Sequence, residues 1–459
     1  MCAVSSHDSA ARSTAPMAPG RIPLLGHTPS LLRRPLNFVN SQRDRGPIVR
    51  FAVGTKTFYL LNDPALTREL LIDQGSDRGP FTKRGMLLDH VRRMVGNGLG
   101  TSDGDLHHRQ RRMIQPMFRK QRINSYVDTM RETTLAQIQG WSPGRRLDFP
   151  DEIGVLVATI LTGTVCGPGL ANDVSREVTR DIRAAARGVG LRGMLPAAMT
   201  RLPLPGNRRF EAALSRLHAV IDQMIADTRA RDLDRGDLLS LLLAARDEHG
   251  SPMSDQQIHD EVVSIMVGGL ESSVTALSWT LSAVADDPEI DHRLHTEAVT
   301  VLDGRPGPSV ADLPQLDYTR RVFTEALRMW PPGWLLPRRA TTDVKLGGFL
   351  IPAGSYAVYS PYVLNHDPQL FPDPERFDPD RWLPGAITKD ATDAFFTFSG
   401  GARKCMGDNF VMTEAVVVLA TIAARWQLRR TTEPPPRPRP KAVLTPSDFH
   451  LTATPRPSA

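Results

Sequence analysis

A chain of 459 residues, 41% of them hydrophobic and 23% charged, can bury one large core or two modest ones. Its net charge of +6 is scattered over Arg-rich helix faces, without zinc-finger spacing or a basic run interleaved with aromatics, which excludes nucleic acid as the expected partner and leaves an acidic protein as the sharper reading. Three cysteines, Cys2, Cys166 and Cys405, are too few to frame a disulfide scaffold, so a reducing compartment is expected.

Residues 1–20 read as a mobile tail, and the fold is expected to begin at Pro23-Leu24-Leu25-Gly26-His27 and to form a single domain over 21–459. With no run of eighteen apolar residues and no apolar segment behind basic ones at the start, neither a membrane anchor nor a secretory signal is expected, which points to the cytoplasm. Ile48 to Val53 and Thr57 to Leu61 flank Gly54-Thr-Lys as an early hairpin. Asp63-Pro64 starts a helix through Ile72, and a second helix from His107 to Phe118 gathers cations. Between them Met86 to Gly100, with glycines at 96, 98 and 100, reads as a mobile wall. From about 125 to 250 the pattern is amphipathic helix, broken at Arg201-Leu-Pro-Leu-Pro-Gly-Asn207.

The longest helix starts at a capping box, Ser254 with Gln257, and runs to Asp287-Pro288. Apolar residues on several of its faces place it at the centre of the protein. Its middle breaks the pattern: Gly268 and Gly269 each cost about 1 kcal/mol relative to alanine. Glu271-Ser272-Ser273 then sets a carboxylate and two hydroxyls in an apolar segment, a local conflict that marks a functional site.

Past Pro331-Pro332 the chain changes to short β runs (Val344 to Leu346, Phe349 to Ile351, Tyr356 to Tyr359) and a Pro- and Asp-rich meander ending at Trp382. Without a βαβ alternation there is no Rossmann domain, and the fold class is mainly α with small β-sheets. Val443 to Thr452 reads as a returning strand pair. Glu325 and Arg328 share a helix face at i and i+3. In Phe398-Ser-Gly-Gly-Ala-Arg-Lys-Cys-Met-Gly407, glycines allow close backbone approach to Cys405, while Arg403, Lys404 and the helix N-terminus after Gly407 are expected to favour its thiolate.

Phe398, Gly401, Arg403, Cys405 and Gly407 resemble the haem-binding loop of the cytochromes P-450. The resemblance extends from Pro23 to about Thr452, and it implies a haem domain with the long helix over the distal haem face and Cys405 as axial ligand of the iron. Gly268-Gly-Leu-Glu-Ser272 is similar to the family's oxygen-pocket pattern, with serine where threonine is usual; it implies Glu271 and Ser272 as the catalytic proton-handling residues. His107 and Arg111, with Arg338 and Arg403, match positions that bind the haem propionates; His108 and Arg339 are the adjacent alternatives. Phe371-Pro-Asp-Pro-Glu-Arg376-Phe resembles the meander segment and implies a buried triad of Glu325, Arg328 and Arg376.

The implied reaction is O2-dependent monooxygenation by haem b. Because the sequence holds no flavin or nicotinamide fingerprint, electrons from NAD(P)H are expected through a ferredoxin and its reductase, steered by Arg111 or Arg112, Arg119, Lys120 and Lys404. A monomer is expected. By family analogy Met86, Leu87, Leu88, Met94, Val95, Val267, Leu270, Trp334, Leu335 and Leu336 line an apolar substrate pocket. His107 to Pro116 and Arg201 to Phe210 further resemble segments of actinomycete members that oxidise cyclic sesquiterpenes such as pentalenene. The alternatives are a fatty acid or macrolide hydroxylase and, from another class, a non-catalytic haem-binding protein.

Overall fold

The computed structural model describes residues 14–85, 87–167, 172–192, 202, 204–230, 236–430 and 434–457. At its centre Asp255–Asp286 forms a helix of 32 residues, about 48 Å long. Ser254 caps it by accepting the Gln257 N–H at 3.2 Å, as the capping box requires. Ile258, Val262, Met266, Leu270, Val274, Leu277 and Leu281 are buried around its circumference. The helices Phe149–Cys166, Asp317–Met329 and Asp408–Arg425 pack around it, and together they enclose the largest apolar core. Phe149–Cys166 and the central helix are each long and apolar enough to cross a membrane, but 67% and 61% of those stretches are buried inside the protein, as core helices are.

A five-stranded sheet stands beside this helical body. Ile48–Val53 and Lys56–Leu61 form the expected hairpin, and Tyr356–Tyr359, Leu336–Ala340 and Phe81–Thr82 continue the sheet in that order. Alternation along the strands serves two cores: Ile48, Tyr59, Leu61, Ala357 and Tyr359 pack on one face, and Val49, Phe51, Phe58, Leu60, Tyr356 and Val358 on the other. The sheet thus carries Arg338 and Tyr359 toward the Cys405 loop.

Two sequence expectations change. Residues 15–18, placed in the mobile tail, lie along the hairpin: Arg50 donates its N–H to the Pro16 carbonyl at 2.7 Å, Ala18 donates to the Arg50 carbonyl at 2.7 Å, and Ala15 and Ala18 are buried. Residues 1–13 lie outside the described residues. Leu444–Pro446 and His450–Pro455 do not pair with each other; the first pairs with Pro438–Pro440 and the second sits between Arg146–Asp148 and Trp426–Arg430. Arg201 and Pro203 of the proline-stiffened turn lie outside the described residues.

Candidate active site

The Cys405 loop closes on itself through the Cys405 N–H, which donates to the Phe398 carbonyl at 2.9 Å. Gly401 has φ +62°, and a Cβ there would run into the Leu71 carbonyl, so the loop accepts only glycine at this point. Ser399, at φ +61°, is held by a 2.9 Å hydrogen bond with the Tyr359 hydroxyl. The helix Asp408–Arg425 starts immediately after Gly407. Cys405 lies open to an internal cavity of about 450 Å3 yet deep within the protein. Burial pushes its thiol up, while the Gly407 N–H and the cations Lys83 and Arg111 act downward. Arg403 and Lys404 are not the thiolate's cations. Arg403 is spent on Asp77 at 3.0 Å, Asp103 at 2.7 Å and the Ser102 carbonyl at 2.6 Å, and Lys404 pairs with Asp408 at 2.7 Å.

His107, Arg111, Arg338 and Arg403 all line this cavity. His107 Nδ1 faces Asp77 at 2.8 Å, and burial with the nearby Arg403 lowers its pKa to about 4. Arg111 reaches across to the Lys404 carbonyl at 2.9 Å, and Arg338 to the carbonyl of Pro337 at 2.9 Å. Lys83, which the sequence reading missed, joins them: its ammonium donates to the Gly100 carbonyl at 3.1 Å, and burial beside Arg338 and Arg403 lowers its pKa to about 7. Asp77 and Asp103, also missed, orient His107 and Arg403. Among the described residues no carboxylate pairs with Arg111 or Arg338, so this wall carries surplus positive charge.

The opposite wall is a stripe of the central helix: Glu261, Ser264, Ile265, Gly268, Gly269, Ser272, Ser273 and Ala276. A Cβ on Gly268 would meet no atom within 4 Å, so backbone there borders open space. Ser272 Oγ donates to the Gly268 carbonyl at 2.6 Å. Glu271 is half-buried and does not line the cavity. Neither do Val267 and Leu270, which are turned away from that stripe by about 100° per residue of helix. Met94 and Val95 are core residues, and Trp334 and Leu335 pack beside the sheet, with the Trp334 indole donating to the Lys441 carbonyl at 2.9 Å. Leu88 and Leu336 do reach the cavity, with Leu99 and Ile114. Met86 and the side chain of Leu87 lie outside the described residues.

Below the loop Glu325 and Arg328 form a wholly buried ion pair at 2.8 Å. The third arginine is Arg381, whose Nε stands 3.4 Å from Glu325 Oε1; Arg376 is exposed and contributes only its carbonyl, to Arg328 at 3.2 Å. The expected triad with Arg376 is corrected accordingly. Pro374-Glu-Arg-Phe and Pro379-Asp-Arg-Trp are near-repeats, and the tight turn at Asp373 sends the first arginine outward. Trp382 completes the set, its indole donating to Glu325 Oε2 at 2.9 Å.

A thiol at one wall, helix backbone bordering open space at the other, and buried cations short of counter-charge at the edge fit a flat, doubly anionic iron porphyrin. The comparisons agree. The family model described as Cytochrome P450 matches residues 16–453. Cyclooctatin synthase of Streptomyces melanosporofaciens is 40% identical over 96% of this chain and 95% of its own length. Cyclooctat-9-en-7-ol 5-monooxygenase of the same organism is 40% identical over 91% of this chain and 90% of its own. Pentalenene oxygenase of Streptomyces avermitilis is 38% identical over 93% and 94%.

Proposed function

Because the chain belongs to the cytochrome P450 family and is a monooxygenase of that family, we propose that it oxidises a cyclic terpene and that Cys405 would ligate its haem iron. The observation that carries this reading is a cavity fronted by Cys405 on one side and by Gly268, Gly269 and Ser272 on the other, with Leu88, Leu99, Ile114, Ile265 and Leu336 in its walls. Relatives named for cyclooctatin, for cyclooctat-9-en-7-ol and for pentalenene supply the substrate class. The family works with haem, O2 and electrons from redox-partner proteins.

In the proposed enzyme, haem b would be held at its propionates by Arg111, Arg338 and Arg403 as charge-assisted donors, assisted by Lys83, with His107 joining them once a propionate's charge returns its second ring proton. When bound, the haem supplies O2 activation and oxygen insertion into a C–H bond, with the cysteine thiolate favouring O–O cleavage. The protein's share is positional and protonic. Glycines 268 and 269 keep side chains out of the oxygen pocket, and the Gly268 carbonyl fixes Ser272 Oγ where it can hold and pass a proton. Glu271, one residue before, is the carboxylate that would resupply it. Apolar walls exclude water and leave shape to select the carbon presented.

Electrons from NAD(P)H would arrive through a ferredoxin reductase and an acidic ferredoxin. Of the cations expected to steer it, Arg112 is paired with Glu248 and Lys404 with Asp408, which leaves exposed Arg119 and Lys120 for that role. A cytoplasmic monomer is part of the proposal.

Titration of the haem-loaded protein with cyclic sesquiterpenes, fatty acids and macrolides, read as a low- to high-spin shift of the Soret band, tests it. Saturation by a cyclic terpene supports the reading. A shift with fatty acid or macrolide alone overturns the substrate, and a protein that takes up no haem overturns Cys405 as ligand.

A further inference from the structure

The cavity wall holds one carboxylate among its described residues, Glu261, and none of the chemistry above uses it. It is fully buried on the central helix, seven residues or about 10 Å before Gly268. One of its oxygens accepts the Leu99 N–H at 2.8 Å; the other, Oε1, has no hydrogen-bond partner among the described residues. The contrast with its neighbour is informative. Asp260 has both oxygens in use, one accepting the Asn97 N–H of the same loop at 2.8 Å and the other the amide of Gln256, one turn back on its own helix, at 2.8 Å. Glycines at 96 and 98 permit that approach, since a Cβ on either would run into Asp260, or into Asp260 and Ser264. Asp260 thus already clamps the loop, and the second carboxyl, set in the cavity wall, keeps an oxygen unused in a place where unpaired polar atoms are normally avoided. The other charged side chains of the wall stand on the Cys405 side, beside the proposed haem propionates.

We propose that Glu261 is the polar anchor for the substrate, which is therefore a cyclic terpenoid already bearing a hydroxyl or carbonyl oxygen. This rests on the terpene reading above and narrows it. With the oxygen held at Glu261, the hydrocarbon end lies toward Gly268 and Ser272, and the new oxygen is installed remote from the old one. The substrate is then supplied by an earlier oxygenation or by a terpene cyclisation that ends in capture of water. Burial and the adjacent Asp260 push the Glu261 carboxyl up to about 8, so at neutral pH it carries a proton and can donate a hydrogen bond as well as accept one.

The test uses the haem-loaded protein and three probes: cedrene, its tertiary alcohol cedrol, and lauric acid, each titrated against the Soret spin shift. The parent should bind cedrol more tightly than cedrene by about tenfold or more. Glu261→Leu should erase that preference and leave cedrene within about twofold of the parent, whereas Glu261→Gln, which keeps an acceptor for the Leu99 N–H and adds an amide donor, should retain most of it. Equal affinity for cedrene and cedrol in the parent overturns the proposal and leaves the terpene reading standing, and does so even should the leucine variant not fold. A preference that survives in Glu261→Leu overturns it as well. A shift with lauric acid alone, or with none of the three, overturns the terpene reading and the proposal together.

Discussion

Arg328 and Glu325 meet side by side with neither side chain exposed, Nε to Oε2 at 2.9 Å and Nη2 to Oε1 at 2.8 Å. Among the described residues every other donor to Glu325 comes from the meander: the Asp378 N–H at 3.1 Å, Arg381 at 3.4 Å and the Trp382 indole at 2.9 Å. Arg328 in turn donates to the Asn365 carbonyl at 2.8 Å. The pair therefore ties the helix Asp317–Met329 to the segment that leads into the Cys405 loop. Glu325→Gln should cost about 3–5 kcal/mol in denaturant unfolding, because it strands a buried guanidinium, and should lower haem retention.

Arg381 and Arg376 separate cleanly. Arg381→Ala removes the contact with Glu325 and the donors to the Pro372 and Asp373 carbonyls, and should destabilise by about 1–3 kcal/mol. Arg376→Ala, at an exposed side chain, should stay within about 0.5 kcal/mol of the parent in the same unfolding measurement.

How far these relations could be read from sequence varies with their range. The central helix was legible to its caps, because Ser254 and Asp287-Pro288 are local signals and the glycine pair is a local violation. The Cys405 loop was legible for the same reason. Arg376 was mistaken for Arg381 because two similar Pro-x-Arg-aromatic runs lie five residues apart and only the chain path selects between them. Lys83 and Asp77 carried no signal at all: each gains its role from residues such as Gly100 or His107 that reach it through tertiary packing. Val267 and Leu270 are apolar and lie in a stretch that family analogy puts at the pocket, whereas the cavity follows helical phase.

Ser272→Ala should leave haem uptake and the substrate-induced Soret shift unchanged and lower product formed per electron consumed by on the order of tenfold, since the hydroxyl held by the Gly268 carbonyl is gone. Ser272→Thr keeps that hydroxyl and should restore coupling. Comparing product with reductant consumed decides it.

Glu414 is buried on the helix after the Cys405 loop, where burial raises its pKa to about 8; Ser273 faces it from the central helix, short of full hydrogen-bond geometry. The folded state therefore keeps a proton that the unfolded chain releases near its ordinary value, so the stability gained from that proton is present at low pH and is lost as pH rises through about 8. Glu414→Gln should unfold close to the parent below about pH 4.5, gain on it progressively as pH rises toward about 8, and hold a constant advantage above that, as read from unfolding midpoints across the range. Glu261 titrates in the same window but is common to both proteins, so it cancels.

Gly98→Ala should displace the loop from the central helix, where Ser264 and the Asp260 carbonyl leave no room for a Cβ, at a cost of about 1–3 kcal/mol. Faster limited proteolysis between residues 95 and 101 than in the parent would register the displacement.

The sheet has a consequence for how the protein is made. Lys56–Leu61 pairs in parallel with Tyr356–Tyr359, Phe58 opposite Tyr356, so nearly three hundred residues must be synthesised between one strand and its partner. At the usual pace of translation that interval is roughly 15–60 s. Throughout it the hairpin's inner edge, with Phe58 and Leu60 bound for one core and Tyr59 and Leu61 for the other, waits without a neighbour, while residues 15–18 already cover its outer edge. The nascent chain is thus one-sided: protected along Ile48–Val53 from the first moments, and dependent on chaperone cover or rapid helix collapse along Lys56–Leu61 until its last third emerges.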